Sequence, residues 1–179
     1  MIAKYSRQFK IGIVALSSPS LGLHLQKVMA AVSFLQLSGF TLVIGESVFR
    51  RDGYMRSPNQ QYRNVSIDTR ANDLHAMFKD DSINLILNTT GGFNSNELLD
   101  FLDYDLIKGK PKFFVGYSDI TAVNVALYAK TGIPVVSGCM LGDFVDHPDC
   151  FLELFRVLSG EELECRNPRS FVSVTRSAA

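Results

Sequence analysis

The feature of this sequence that most constrains its fold is an alternation between apolar runs of strand length and amphipathic stretches of helix length. The apolar runs are continuous, without a polar residue at every second position, and they predict strands over residues 11–16, 40–44, 83–87, 113–115 and 133–136. Strands of this composition are buried on both faces, as in parallel sheets with helices on each side. The sequence therefore predicts an α/β fold with an open, mostly parallel sheet.

The stretches between these runs predict the helices that cover the sheet. Apolar residues recur at helical spacing in the first of them, Ser66 is a predicted N-cap, and Gly132 is a predicted helix end. The predicted helices span residues 21–37, 66–79, 119–130 and 148–158, with a short one around 96–101. Residues 45–64 are polar and predict a long loop, which in compact domains is usually functional or mobile. Helices on both faces give a layering of the Rossmann or flavodoxin kind.

Length and composition limit the organisation and the partners. A chain of 179 residues favours one domain. We expect residues 1–160 to form the α/β domain and residues 161–179, with a strand-like stretch at 171–174, to be a linker or tail toward a C-terminal domain. Lys plus Arg and Asp plus Glu each number 18, with no basic run beyond Arg50-Arg51, so a nucleic acid polymer is not an expected partner.

Neither a membrane nor a metal ion is expected. No apolar run approaches the roughly 20 residues that span a bilayer, and the first residues lack the apolar core of a signal peptide. Cys139, Cys150 and Cys165 form no CxxC pair, which is typical of reduced thiols and favours a cytoplasmic protein. The histidines are not paired at helical spacing, so no metal site is predicted.

Ser118 lies where the fourth predicted strand turns into a helix, within Gly116-Tyr117-Ser118-Asp119-Ile120. A serine on such a turn projects its hydroxyl from the sheet, and the N–H of the next residue, Asp119, can donate to an oxyanion. The segment departs from the G-x-S-x-G pattern because Ile120 replaces the second glycine. Taken alone, it fits equally a serine or aspartate that caps a helix.

The second segment with potential chemistry follows the third predicted strand and contains Gly91-Gly92. Paired glycines let backbone N–H groups point at an oxyanion, a carboxylate or a phosphate. The alternative is a tight turn into a helix capped by Asn94 or Ser95. Because ligands bind at the carboxyl ends of parallel strands, both segments are expected at one edge of the sheet.

The two segments together resemble a known family. The residues that carry the resemblance are 91–100, 102–107, 111–112 and 116–122, with weaker matches at Ser17–Ser20 and residues 128–132. This pattern is similar to the LD-carboxypeptidase family of serine peptidases, whose other branch is the microcin C self-immunity protein. The resemblance covers roughly residues 8 to 145, and the sequence from Gly91 to Asn96 is more similar to the immunity branch.

The resemblance implies a nucleophile, Ser118, and an oxyanion hole made by the N–H groups of Gly92 and Asp119. It implies substrate contacts at Gly91, Phe93 and Asn94, no cofactor, and a homodimer in the full-length protein. Family members cleave peptidoglycan tetrapeptides or the link between peptide and nucleotide in processed microcin C. The expected function is therefore hydrolysis of an amide bond in a small peptide or peptide–nucleotide substrate.

A serine needs a base to take its proton. In the family that base is a histidine oriented by a glutamate, both in a C-terminal domain, so neither maps onto this chain. We therefore expect the chain alone to be inactive, whether it is one domain of a longer protein or the product of a truncated gene. Local substitutes are weaker candidates with simpler structural roles, namely surface, packing or helix-start residues for His24, His75 and His147 and loop or cap carboxylates for Asp143 and Asp146. A thiol nucleophile at Cys139 is a separate candidate, with a semi-buried structural cysteine as its simpler alternative.

Two functions of other classes stay open at this point. The first is a non-catalytic domain that binds a small ligand or nucleotide through the Gly91-Gly92 loop, although the sequence lacks a G-x-x-x-x-G-K-[ST] loop. The second is an interaction module that self-associates through apolar surface.

Overall fold

The computed structural model describes residues 2–19, 23–50, 65–161 and 173–175. Its helices and strands, in chain order, are β1 (Lys10–Val14), α1 (Leu23–Leu37), β2 (Thr41–Ile44), α2 (Ile67–Lys79), β3 (Leu85–Asn88), α3 (Tyr104–Gly109), β4 (Phe113–Val115), α4 (Thr121–Thr131), β5 (Val135–Ser137), α5 (Pro148–Leu158) and β6 (Ser173–Thr175). Short 3-10 helices occur at Ile2–Tyr5, Glu46–Val48, Ser95–Phe101, Ser118–Ile120 and Leu141–Asp143.

The strands form one sheet in the order β2-β1-β3-β4-β5-β6. Strands β1 to β5 are parallel, and β6 joins β5 antiparallel, so the predicted α/β fold with a mostly parallel sheet is confirmed. Strand β6 lies inside the segment expected to be a linker or tail, and it adds an edge strand to the sheet. That this segment leads to a second domain stays a prediction, and most of the predicted loop at 45–64 lies outside the described residues.

The strand register places the ends of the strands at one level. Ile13 pairs with Leu87, Leu87 with Val115, and Val115 with Val136, which makes one row across four strands. All four side chains belong to the same apolar core. The loops after β1, β3, β4 and β5 therefore leave the sheet next to each other, immediately beyond this row.

Two apolar cores cover the two faces of the sheet. One lies beneath α1 and α5 and contains buried aromatic rings, with Phe40 and Phe155 stacked at 4.9 Å between ring centroids. The other lies beneath α2, α3 and α4, and includes Leu74, Met77 and Phe78 of α2. No described helix has the length and apolar character that crossing a bilayer requires.

Local signals at most helix ends are as predicted. The Ser66 side chain accepts a hydrogen bond from the Thr69 N–H at 3.2 Å and caps α2, and Gly132 ends α4 in the left-handed conformation with φ 73°. Helix α3 was missed by the sequence analysis because six residues are too few for an apolar period to emerge. Its N-cap, Asp103, accepts a hydrogen bond from the Leu106 N–H at 2.9 Å.

The position where β1 has β2 on one side and β3 on the other is the reversal point of the strand order. In open α/β sheets, ligands bind in the crevice at this point. The loop after β1 begins at Ala15, and the loop after β3 begins at Thr89, whose N–H donates to the Val14 carbonyl at 2.9 Å. A ligand site is therefore expected at these two loops and the neighbouring turn after β4.

The imidazole of His75 couples the stability of the fold to pH. His75 lies on α2, and its Nε2 accepts a hydrogen bond from the Asp103 N–H at 2.9 Å, which requires the unprotonated nitrogen. Burial lowers the pKa of His75 below its ordinary value of 6.5, with a smaller opposing effect from Asp103. The unfolded state therefore takes up a proton before the folded state does as the pH falls.

We predict that the free energy of unfolding decreases as the pH falls below about 6.5, because protons then favour the unfolded chain. The measurement is urea unfolding between pH 7.5 and 5.5. In His75→Gln this pH dependence should flatten, whereas His24→Gln, at an exposed position on α1, should keep the wild-type dependence. Equal slopes in wild type and His75→Gln would contradict the assignment.

Candidate active site

Ser118 forms a strained turn at the end of β4. Its backbone has φ 59°, in the left-handed region that non-glycine residues rarely occupy, and its side chain is exposed. For an L-residue this conformation costs roughly 1–2 kcal/mol. A serine held in this way between a strand and a helix is the geometry of a nucleophile elbow, which presents the hydroxyl above the sheet.

Gly116 allows the sharp turn because the chain packs against it closely. A Cβ at this position would lie 2.5 Å from Cγ2 of Ile120. Ile120, which replaces the second glycine of the G-x-S-x-G pattern, is thus accommodated because Gly116 has no side chain. Two buried amides hold the approach to the turn: Asn88 donates to the Val115 carbonyl at 2.9 Å, and Asn124 donates to the Gly116 carbonyl at 2.7 Å.

The glycine pair lies beside Ser118, as expected for two segments at one edge. A Cβ at Gly91 would lie 3.0 Å from Cβ and 3.2 Å from Oγ of Ser118. Gly92 has φ 138°, and a Cβ there would lie 1.9 Å from Oγ of Ser18. The predicted oxyanion loop is therefore tightly packed between the loop after β1 and the Ser118 turn, and a side chain at Gly92 would clash with Ser18. The oxyanion roles of the Gly92 and Asp119 N–H groups stay predictions.

The carboxylate of Asp119 does not cap α4, the helix that follows it. Its Oδ2 accepts hydrogen bonds from Oγ of Ser17 at 2.5 Å and from the N–H of Ser95 at 2.9 Å. In return, Oγ of Ser95 donates to the Asp119 carbonyl at 2.6 Å. Asp119 therefore connects the turn after β4 to both loops of the central crevice.

The other predicted substrate contacts also lie on the loop after β3. The Phe93 side chain is 51% exposed, and its carbonyl oxygen lies 3.3 Å from Oγ of Ser17. Asn94 adopts the left-handed conformation with φ 71° and precedes the Ser95–Phe101 helix, but its side chain makes no capping hydrogen bond. Asn94 therefore occupies the predicted N-cap position without capping the helix through its side chain, and its role in binding substrate stays a prediction.

Arg70 is a residue of the site that the sequence analysis missed. It lies on α2 and is 1% exposed, and its guanidinium donates to the carbonyls of Leu16 at 2.9 Å and Asn94 at 3.2 Å. It also forms an ion pair with Glu97 at 3.2 Å. Burial lowers the pKa of Arg70, and the nearby Glu97 and Asp119 carboxylates oppose that shift. The hydrophobic period of α2 gave no sign of it, because Arg70 occupies an inward position expected to be apolar.

A second aspartate, Asp143, connects Tyr117 to the loop after β5. Asp143 accepts hydrogen bonds from the Met140 N–H at 2.8 Å and from the Tyr117 hydroxyl at 3.2 Å. Burial, with a smaller contribution from Asp143, raises the pKa of Tyr117 to about 12. Tyr117 thus remains a neutral phenol beside Ser118 at physiological pH. Asp143 ends the Leu141–Asp143 3-10 helix and accepts from the N–H of its N-cap, Met140, so the expected capping role is confirmed.

The thiol of Cys139 does not supply an alternative nucleophile. Cys139 is 7% exposed, and its hydrogen bond with Cys150, together with burial, raises its pKa well above the ordinary value. A buried protonated thiol is a poor nucleophile. The same hydrogen bond lowers the pKa of the half-buried Cys150 to about 7.

None of the local base candidates forms a hydrogen bond with Ser118 in the described parts of the chain. His75 is held by the Asp103 N–H, and Asp146 pairs with Lys27. His147 is exposed and precedes Pro148 at the start of α5, as predicted, and His24 is exposed on α1. Within the described ranges, no group of three or more His, Cys, Asp or Glu side chains is arranged to hold a metal ion.

The comparisons with known proteins agree with this geometry. A family model described as the LD-carboxypeptidase N-terminal domain matches residues 11–138, which is more than half of the chain. The microcin C7 self-immunity protein of Escherichia coli is 37% identical over 139 residues, covering 77% of this chain and 38% of that protein. A probable murein peptide carboxypeptidase of Bacillus subtilis is 33% identical over 131 residues, covering 73% of this chain and 38% of that protein.

Solved structures show the same likeness. The microcin C7 self-immunity protein in complex with aspartyl sulfamoyl adenosine superimposes with a TM-score of 0.73 at 33% identity, covering 87% of this chain and 45% of that one. A similar protein from Bacillus anthracis gives a TM-score of 0.63 at 37% identity, covering 76% and 39% respectively. The chain thus spans less than half the length of these proteins.

The backbone strain at Ser118 should be measurable through the free energy of unfolding. We predict that Ser118→Gly raises the free energy of unfolding by about 1 kcal/mol, because glycine adopts a positive φ without a steric penalty. Ser118→Ala keeps the Cβ, so it should not show this gain. Denaturant unfolding of the three proteins checks this, and equal stability of the glycine and alanine variants would contradict the strained turn.

The close packing around Gly92 leads to a second prediction for this site. Gly92→Ala should destabilise the fold by at least about 1 kcal/mol, because it combines a disfavoured φ with a clash against Ser18. Gly109→Ala at the end of α3 is the matched control: a Cβ there meets nothing within 4 Å, so this variant should be neutral or slightly stabilising. Thermal unfolding compares the two, and a tolerated Gly92→Ala would contradict the described loop.

Proposed function

Because this chain belongs to the LD-carboxypeptidase family, we propose that it is the nucleophile-bearing domain of a serine hydrolase that cleaves an amide bond in a small peptide or peptide–nucleotide substrate. One observation carries the proposal: an exposed serine held at φ 59° directly against a glycine pair. Strained backbone persists at functional sites because the surrounding fold maintains it. A non-catalytic ligand-binding loop would not require this strain in Ser118.

The proposed reaction begins when the hydroxyl oxygen of Ser118 attacks the carbonyl carbon of the amide. The hydroxyl proton passes to a histidine of a second domain, and the N–H groups of Gly92 and Asp119 donate to the oxyanion that forms. Collapse expels the amine, which takes the proton from the histidine and leaves an acyl ester on Ser118. Water then hydrolyses the ester, releasing a carboxylate and restoring the hydroxyl.

The substrate class is proposed from the relatives. One is named for immunity to microcin C7 and another for cleaving murein peptides, and a solved relative binds aspartyl sulfamoyl adenosine. These ligands share a small size and an aminoacyl or peptidyl part. We propose Gly91, Phe93 and Asn94 as contacts for such a substrate, with no cofactor, in a cytoplasmic protein that is a homodimer at full length.

The chain by itself is proposed to be inactive. The relatives are more than twice as long as the matched region, and the general base and its orienting carboxylate are proposed to lie in the part beyond it, reached through residues 161–179. In serine proteases the loss of one triad member leaves roughly 1,000-fold catalysis over water. That residual rate enhancement requires a complete substrate site, so we expect no measurable turnover from this chain alone.

The test is a chimera in which this chain replaces the corresponding domain of the Escherichia coli microcin C7 self-immunity protein. We predict that the chimera hydrolyses a peptidyl-nucleotide substrate, followed by mass spectrometry, and that Ser118→Ala lowers kcat at least about 1,000-fold. The unlinked chain is the control and should be inactive. Turnover that is undiminished in the Ser118→Ala chimera would remove Ser118 as the nucleophile.

A further inference from the structure

We infer that the carboxylate of Asp119 is a positioning residue that holds the two loops of the central crevice against the Ser118 turn. The inference rests on the proposed function, and it assigns a role to the Asp119 side chain that is separate from the role of its backbone N–H. The side chain itself is not proposed to touch the substrate.

The first observation is that Asp119 contacts both loops at once. Its Oδ2 accepts from Ser17 on the loop after β1 and from the Ser95 N–H on the loop after β3. Ser17 is 1% exposed and Ser95 is fully buried, so water does not replace these bonds readily. Hydrogen bonds to an ionised carboxylate are about twice as strong as neutral ones.

The second observation is that Arg70 holds the same loops one residue earlier in each. Its guanidinium donates to the carbonyls of Leu16 and Asn94, and Asp119 binds the next residues, Ser17 and Ser95. A cation therefore secures the carbonyl side of each loop while an anion secures the following hydroxyl or N–H. Opposite charges at adjacent positions fix the two loops relative to each other.

The third observation is the location of the glycine pair within the segment that is held. Gly92 precedes Phe93, whose carbonyl oxygen lies 3.3 Å from Oγ of Ser17, the hydroxyl that donates to Asp119. Gly92 is also packed against Ser18. A shift of the loop after β1 would thus displace Gly92 relative to Ser118. A misplacement of about 1 Å in an active site can cost roughly 100-fold in rate.

The first arm of the test needs no catalysis and uses this chain as it is. Amide hydrogen exchange by NMR is measured for wild type, Asp119→Asn and Ser17→Ala. Asp119→Asn should accelerate exchange of the Ser95 N–H at least about 10-fold, because that N–H loses a charged acceptor. Strand amides of β3 should exchange at the wild-type rate, which shows that the domain remains folded.

Asp143→Asn is the matched control. Asp143 also accepts one hydroxyl and one backbone N–H, from Tyr117 and Met140. This variant should accelerate exchange of the Met140 N–H and leave the Ser95 N–H unchanged. If Ser95 exchanges at the wild-type rate in Asp119→Asn, or equally fast in both aspartate variants, the positioning role is overturned. Ser17→Ala removes one of the two bonds and serves if Asp119→Asn does not fold.

The second arm uses the chimera described above. Asp119→Asn should lower kcat by about 100-fold, because the backbone N–H groups that face the oxyanion are displaced. KM should change less than about threefold, because the residues that contact the substrate remain. An unchanged kcat overturns the inference. If Ser118→Ala leaves activity intact, the proposed function fails instead, and the exchange result at Ser95 still decides the positioning role.

Discussion

At the end of β4 the chain enters α4 through one residue in the left-handed conformation, Ser118, and the remaining groups of the site are arranged around that turn. The conformation is unfavourable for serine, so the surrounding fold has to maintain it. It does so through the close packing of Ile120 on Gly116 and through the buried amide of Asn124, which holds the Gly116 carbonyl. The exposed hydroxyl is thereby placed on a rigid, buried support.

The loops around this turn are held by charge as well as by packing. Arg70 is almost completely buried and contributes its donors to loop carbonyls, while Asp119 contributes its acceptors to a hydroxyl and an N–H. A buried guanidinium is costly unless it is paired, and here Glu97 and the loop carbonyls satisfy most of its donors. Such a network favours one arrangement of the loops over the alternatives that apolar packing alone would allow.

The site divides into an exposed part and a buried support. Ser118 and the glycine pair lie at the surface of the crevice, and the scaffold beneath them is buried on both faces of the sheet. The region matched by the family model ends at residue 138, just after β5. Strands β1 to β5 begin and end within or next to the matched region, which also contains the predicted oxyanion loop.

The sequence by itself determined the parallel sheet, most of its helices, and the meeting of Ser118 with the glycine pair at one edge. These follow from local signals: continuous apolar runs, helical periods, caps, and the rule that parallel strands end on the same side. Only the tertiary structure decided that Asp119 binds Ser17, 102 residues away, and that Arg70 is buried against Leu16, 54 residues away. Polar pairings over such separations leave no period in the sequence, because their strength depends on burial and direction in the folded chain.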